Sequence, residues 1–94
     1  MFAIAIDLVV AEAAKHHPRG YRRAYLDIET TLRRFGFARV QSSVYASEDE
    51  DLANLFLAMD TLRRFPWFGP SVTNIRAFRM EQGSDFTALV KGTA

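Results

Sequence analysis

The chain opens on a nearly unbroken apolar run, FAIAIDLVV, in which Asp7 is the only charged residue. Such a run predicts a β-strand, whose successive side chains point to opposite faces of a sheet. One face then holds bulky residues suited to packing under helices: Phe2, Ile4, Ile6 and Leu8. The other holds mostly small residues and the carboxylate: Ala3, Ala5, Asp7 and Val9. A charge confined beside a second layer is costly unless it is paired or binds a cation, which makes Asp7 the first candidate functional residue.

The next segments predict a loop and a helix. AEAAKHHPRG is polar and ends in Pro18 and Gly20, which interrupt regular structure. The apolar residues that follow recur at helical spacing: Tyr21, Ala24, Tyr25, Ile28, Leu32 and Phe35. Glu29 and Arg33 are placed as a favourable i,i+4 pair, and Gly36 stands where a left-handed C-terminal cap is expected.

The second half repeats the alternation of strand and helix. FARVQSSVYAS predicts either one bent strand or two short strands that turn near residues 41–43. Ser47 and Glu50 match a capping box before a second helix, which Pro66 and Pro70 bring to an end. The apolar stripe of that helix is Leu52, Leu55, Phe56, Met59 and Leu62. VTNIRAFRM predicts the last strand, and SDFTALVKG a short C-terminal helix capped by Ser84.

This order, β-α-β-β-α-β, predicts a single α+β domain over residues 1–94 with a ferredoxin-like fold. Its four-stranded antiparallel sheet carries two helices on one face, and the first strand lies between the third and the fourth. Asp7 then faces away from the helices, between segments 43–45 and 74–76. An open, partly apolar sheet face on so small a domain predicts a homodimer with Asp7 near the two-fold axis.

Composition narrows the class of protein. The 94 residues include no cysteine, which excludes disulfides, thiolate metal sites and cysteine nucleophiles. No apolar run is long enough to span a bilayer and no signal peptide is visible, so we expect a cytoplasmic protein without a membrane partner. The net charge is +1, but Lys15–Arg23 holds four bases and two histidines without an acid, either as a solvated loop or as a nucleic-acid contact. The pairs Arg33–Arg34 and Arg63–Arg64 fall at helix C-termini, where positive charge is favourable.

Several segments together carry a resemblance that covers nearly the whole chain: AIDL, FGFARVQSSVY, WFGPSV, IRAFRM and SDFT. In this order they resemble the virulence-associated protein D (VapD) family, which is similar in fold to the small ferredoxin-like subunit of CRISPR adaptation complexes. The resemblance implies a homodimeric endoribonuclease that cuts single-stranded RNA, often as the toxin of a toxin–antitoxin pair with an antitoxin protein as partner.

The resemblance also implies site residues. Asp7 matches the family's acidic residue at the end of the first strand, and Ser43 matches the serine of its Q-G-S-V-Y motif, whose last residue here is Tyr45. Ser42 departs from the family's glycine, and Asn74 from its aspartate, which puts a two-acid mechanism within one subunit in doubt.

Chemistry assigns a role to each candidate. Asp7 from each of two subunits can hold Mg²⁺ or Mn²⁺, or act as acid or base, and Ser43 can bind the scissile phosphate or orient a water. We expect substrate contacts from four residues: Tyr45 stacking on a base, Asn74, and phosphate binding by Arg76 and Arg19. The structural alternatives are a core or dimer contact for Tyr45, a turn residue for Ser43, and for Arg76 an ion pair with an acid of the partner chain. His16 and His17 predict an exposed loop, and Trp67 and Phe68 packing beneath one.

Two functions remain open at the level of sequence. The first is an endoribonuclease with Asp7 at its centre, which the AIDL and QSSVY segments favour. The alternative is a non-catalytic dimeric scaffold that binds nucleic acid or an antitoxin protein, which Asn74 favours. Loss of Arg19, Arg22 and Arg23 would weaken RNA binding by the scaffold, without any product appearing.

Overall fold

A computed structural model describes residues 1–80 and 87–92. Within that part of the chain the strands are β1 (Phe2–Leu8), β2 (Ala38–Gln41), β3 (Val44–Ser47) and β4 (Val72–Arg79). The helices are α1 (Val10–His16), α2 (Tyr21–Arg34), α3 (Leu52–Arg63), α4 (Phe68–Ser71) and α5 (Thr87–Val90). None of these helices is long and apolar enough to cross a membrane.

The strands form one antiparallel sheet in the order β2-β3-β1-β4. β1 lies centrally, between β3 and β4, as predicted. Of the two alternatives for FARVQSSVYAS, the structure has two strands joined by a two-residue turn at Ser42 and Ser43. The predicted fold class, α+β with a four-stranded antiparallel sheet of ferredoxin-like topology, is confirmed.

The core lies between one face of the sheet and the long helices. On β1 it takes the alternate residues Phe2, Ile4 and Ile6, as the pattern predicted. α2 adds Ala24, Ile28 and Leu32, and α3 adds Leu55, Ala58 and Leu62. Burial of a leucine or isoleucine side chain contributes about 1.5–3 kcal/mol each, so this face-to-helix contact is the main source of stability.

The C-terminal end of α2 was also predicted correctly. Gly36 has a φ of 84°, and its N–H donates to the Arg33 carbonyl while the Phe37 N–H donates to the Leu32 carbonyl. These two bonds are those of a Schellman motif, and the buried Phe37 supplies its apolar contact. Arg33 also bonds Glu29 at 3.1 Å, the i,i+4 pair expected from the sequence.

The segment predicted as a loop, AEAAKHHPRG, is mostly helical, so that prediction was wrong. Its first part joins Val10 to form α1, and only the part after His16 connects to α2. Alanine and glutamate are strong helix formers, and the buried Ala13 gives the helix a contact with the core. Glu12 and His16 pair one turn apart at 3.1 Å.

The beginning of α3 lies later than the proposed capping box placed it. Ser47 belongs to β3, where its Oγ accepts from the Asp49 N–H, and the Glu50 carboxylate accepts from the N-terminal ammonium. Asp51 is the actual N-cap, because its carboxylate accepts from the Ala53 N–H at 2.9 Å.

The apolar face of α3 is narrower than predicted. Leu52 and Phe56 are exposed, and Ala58 takes the place beside Leu55 and Leu62. Phe56 lies about 100° of helical rotation from Leu55, which carries it off the buried side.

The end of α3 agrees with the predictions made from Pro66 and from the Arg63–Arg64 pair. α3 ends before Pro66, although the segment after that proline forms the short helix α4. Arg63 and Arg64 both bond Asp60 near the end of α3, which agrees with a structural role for that pair. A short C-terminal helix is present as α5, and its predicted cap, Ser84, lies outside the described residues.

Candidate functional site

Asp7 lies at the end of β1 on the face opposite the core, as the alternation of the strand predicted. It pairs directly with Asn74 on β4, and Ala5 pairs with Arg76, so all four share that face. Asp7 is exposed, whereas its neighbour Ile6 is buried in the core. The register therefore places a carboxylate, an amide and a guanidinium together on the open side of the sheet.

The side chains around Asp7 line a depression of about 850 Å³, called here the Asp7 depression. Its lining residues are Ala5, Asp7, Asn74, Arg76, Ala77 and Phe78. Ala5 contributes little volume beside the carboxylate, which leaves the depression open. Phe78 stands at its far side and is 44% exposed, an unusual position for a phenylalanine.

A β-bulge follows the Asp7–Asn74 pair. The register shifts after Asp7, so that Leu8 opposes Val72 and Thr73 is the additional residue on β4. Bulges end regular pairing and redirect neighbouring side chains, and they are common beside active sites. Here the bulge ends the regular pairing of β1 with β4 at Asp7 and Asn74.

Within residues 1–80 and 87–92 the Asp7 carboxylate has no hydrogen bond or ion pair, and neither has the Arg76 guanidinium. Arg79, three residues on, instead lies 3.6 Å from Glu50 and over the Phe2 ring. In the described part of the chain, Asp7 and Arg76 are thus available to a ligand, and the alternative, an ion pair of Arg76 with an acid of a partner chain, stays a prediction.

The donor set of one chain is small for a metal ion. The described residues contain no group of three carboxylate or histidine side chains that could hold one. Asp7 supplies a carboxylate and Asn74 an amide oxygen, whereas Mg²⁺ is held octahedrally by oxygen ligands. Mg²⁺ or Mn²⁺ bound here would take the rest of its shell from water, from phosphate oxygens or from a second copy of the chain.

The backbone of Ser43 lies next to the strand that carries Asp7, but Ser43 lines a different depression. Its carbonyl accepts from the Ile6 N–H at 2.9 Å, one residue before Asp7. Its depression, of about 390 Å³, is also lined by Ser42 and by Arg22, Tyr25 and Arg39. The two predicted catalytic residues, Asp7 and Ser43, are therefore not brought into one depression within a chain.

Tyr45 is buried in the core, opposite Ile4, and the expectation that its ring stacks on a base is not met. Burial raises the pKa of the Tyr45 hydroxyl, the charge of Glu29 and nearby Tyr25 raise it further, and Arg39 lowers it. The alternation of β3 explains the error, since a residue opposite Ile4 must share its buried face.

Arg19 is exposed in the connection between α1 and α2, and it lines neither the Asp7 nor the Ser43 depression. Its backbone N–H donates to Nδ1 of His17 at 2.9 Å. His17 was predicted to be exposed, but it is buried, with Nε2 bonded to Asp27 at 2.7 Å and its ring 4.8 Å from Trp67. Trp67 and Phe68 pack beneath this connection as predicted.

The structure adds residues that the sequence did not single out. Arg39 pairs with Tyr45 across the β2–β3 hairpin and so points to the side of α2. No sequence signal places it there, because a regular register from the turn at Ser42 and Ser43 would pair Val40 with Tyr45. The irregularity between Arg39 and Gln41 brings Arg39 opposite Tyr45 instead. Phe78 has a simple signal, because it lies two and four residues beyond Arg76 and Asn74 on one strand face.

Comparison with known proteins gives full-length relatives. The endoribonuclease VapD homolog of Neisseria gonorrhoeae is 58% identical over 91 residues, which cover 97% of this chain and 99% of that protein. Endoribonuclease VapD of Haemophilus influenzae is 50% identical over 91 residues, with the same two coverages. Endoribonuclease VapD of Helicobacter pylori is 40% identical over 93 residues, or 97% of this chain and 99% of that protein. No protein-family model matches the chain.

Proposed function

The chain belongs to the VapD family of endoribonucleases, and we propose that it is itself an endoribonuclease that cuts single-stranded RNA at the Asp7 depression. The observation that carries this proposal is the exposed carboxylate of Asp7 beside Asn74 and Arg76 at the end of β1. These groups match the needs of phosphodiester cleavage, which are a base, a hydrogen-bond donor and a cation for the phosphate.

Each residue of the proposed site has one role. Asp7 takes the proton of the attacking hydroxyl or water, since it is the only carboxylate among the described residues that line the depression. Arg76 binds the phosphoryl oxygens, where negative charge develops as the phosphorus–oxygen bond breaks. Asn74, directly opposite Asp7, donates an amide N–H hydrogen bond to the same phosphate, and the leaving oxygen takes its proton from water.

We further propose that the protein acts as a homodimer in which the Asp7 faces of two copies meet. The exposed Phe78 beside the depression supplies an apolar contact for such a face. Two copies of Asp7 would hold Mg²⁺ or Mn²⁺ between them, and the cation would offset the repulsion of the two carboxylates. Among the described residues, Asp7 is the one carboxylate that a chain contributes to the depression, and this supports the dimer because a second copy would supply the acid that Asn74 does not.

The biological role we propose is that of a cytoplasmic toxin whose activity an antitoxin protein restrains. The family resemblance supports this role, and so does the exposure of the proposed site, because an open depression on a small domain can be covered by a partner.

Incubation of the purified protein with labelled single-stranded RNA, double-stranded RNA and single-stranded DNA tests the proposed activity, each with EDTA, Mg²⁺ or Mn²⁺. We expect products from single-stranded RNA alone, in fractions that follow the protein through gel filtration. Light scattering of wild type and Phe78→Glu tests the dimer: the wild type should have twice the mass of one chain, and the variant should dissociate. RNA that is bound without products would instead favour the non-catalytic scaffold.

A further inference from the structure

The Ser43 depression, separate from the Asp7 depression, is lined by two arginines and three hydroxyls. Its residues come from three places in the chain: Arg22 and Tyr25 from α2, Arg39 from β2, and Ser42 and Ser43 from the turn between β2 and β3. We propose that it binds a backbone phosphate of the RNA strand, next to the nucleotide that is cut. This inference rests on the proposed function and assigns the path of the substrate.

The cations of the Ser43 depression are available to an anion. Within the described part of the chain Arg39 has no ion pair, and Arg22 contacts only the ring and hydroxyl of Tyr21. Glu29, whose charge acts on the Tyr45 hydroxyl on this side of the sheet, is bonded to Arg33. The first turn of α2 contains no acidic residue, so nothing there offsets the positive charge.

The fold brings the side chains that line the Ser43 depression close together. Arg22 and Tyr25 are three residues apart on α2 and therefore share a helix face. Arg39 lies opposite Tyr45 across the hairpin, on the side of the core helices. The turn at Ser42 and Ser43 closes the end of the hairpin and adds two short hydroxyl side chains. A guanidinium with neighbouring hydroxyls is the usual set of donors for a phosphate.

The Ser43 depression lies beside the end of β1 that carries Asp7. The Ser43 carbonyl bonds the Ile6 N–H, and Asp7 follows Ile6 on β1. A strand bound at Asp7 can thus pass around the Ser42–Ser43 turn and reach Arg39 on the other side of the sheet. Ser43 would then contact a phosphate, as the sequence predicted, but a neighbouring phosphate and not the scissile one.

Binding of a 2′-O-methyl single-stranded oligonucleotide in EDTA tests this inference without cleavage. We expect Arg39→Gln to weaken binding roughly tenfold, as the loss of one charge-assisted contact does. The slope of log affinity against log salt should also fall by about 0.7, the value for one phosphate contact on a single strand. Arg22→Gln should act in the same direction.

Arg34→Gln is the matched control. Arg34 is at the far end of α2, exposed and without an ion pair in the described residues, so its loss changes the net charge equally. An equal loss of affinity and slope in Arg34→Gln and Arg39→Gln would overturn the inference, as would unchanged binding by Arg39→Gln. An oligonucleotide without bases should show the same Arg39 dependence, and its disappearance there would contradict a phosphate contact.

Cleavage of unmodified RNA separates this inference from the proposed function. Arg39→Gln should raise KM and leave kcat near the wild-type value, because Arg39 lines the Ser43 depression and not the Asp7 depression. If no cleavage depended on Asp7, the proposed function would fail while the binding measurements still decided the role of Arg39.

Discussion

Asp7 on β1 and Asn74 on β4 lie directly opposite each other in the antiparallel ladder, immediately before its bulge. Cβ atoms of such pairs are about 4.5–5.5 Å apart, so whatever group stands at position 74 acts on the Asp7 carboxylate. An amide there leaves Asp7 as the single acid among the described residues of the depression, and in the proposed dimer a second copy of the chain supplies the other acid.

Replacing Asn74→Asp should change how the pH controls cleavage. Two opposed carboxylates would repel, which raises the pKa of the pair and moves the rise of kcat/KM to higher pH in EDTA. Mn²⁺ should reverse this shift by binding between them. The pH profile of the variant measures the effect, and Asn74→Ser, which adds no charge, is its control. Identical profiles for the Asp and Ser variants would contradict the proposed role of Asp7.

Arg76→Gln should slow the chemical step. Because Arg76 is proposed to stabilise charge that develops on the phosphate, its loss should lower the single-turnover rate by roughly 10²–10³. Arg79→Gln is the matched control, since Arg79 is on the same strand but lies by Glu50 and Phe2. Equal rates in the two variants would place the phosphate elsewhere.

Tyr45→Phe should leave RNA cleavage unchanged, because the ring packs in the core opposite Ile4. Tyr45→Ala should instead lose roughly 3–5 kcal/mol of the free energy of unfolding. A large loss of RNA affinity in a folded Tyr45→Phe protein would show that the hydroxyl reaches the substrate.

The same residue predicts a pH dependence of stability. The pKa of Tyr45 is raised by burial above its ordinary value of about 10, so the folded state holds this proton more tightly than the unfolded state. The resulting stability is fully present below the unfolded pKa and is lost as pH rises from there through the folded pKa. Urea unfolding at rising pH should show a steeper alkaline loss in wild type than in Tyr45→Phe. Parallel curves would contradict this.

His17→Ala should destabilise the fold by about 2–4 kcal/mol. The substitution removes the bond to Asp27 and the ring contact with Trp67. His16→Ala is the control, because His16 is exposed and pairs only with Glu12. Urea unfolding measures both, and equal effects would contradict a structural role for His17.

The parts of the fold that the sequence predicted are those that short-range patterns determine. The alternation of β1 and the Schellman end of α2 each depend on a few consecutive residues, and both were found. The α1 helix was missed because Pro18 and Gly20 dominated the interpretation of a segment whose first half is alanine-rich. Phe56 was misplaced because helical spacing identifies an apolar face but does not say how much of it a neighbour covers.

Part of the candidate site was also predicted correctly, and part was not. Asp7, Asn74 and Arg76 were placed together because strand order and alternation fix which side chains share a sheet face. Ser43 and Tyr45 were placed with them on the strength of a motif, and a motif does not state on which face its residues lie. The alternation of β3 sends Tyr45 to the core, and Ser43, two residues before it, lies on the same side, toward α2.

The central claim is that Asp7 performs the cleavage, and the most direct test compares wild type, Asp7→Asn and Asp49→Asn on one labelled single-stranded RNA. Asp49 is an exposed acid before α3, so its variant controls for the loss of one negative charge. Reactions contain EDTA, Mg²⁺ or Mn²⁺, and light scattering reports the mass of each protein. We predict that Asp7→Asn loses cleavage and keeps the mass of the wild type, while Asp49→Asn retains both. Cleavage by Asp7→Asn at the wild-type rate would contradict the account.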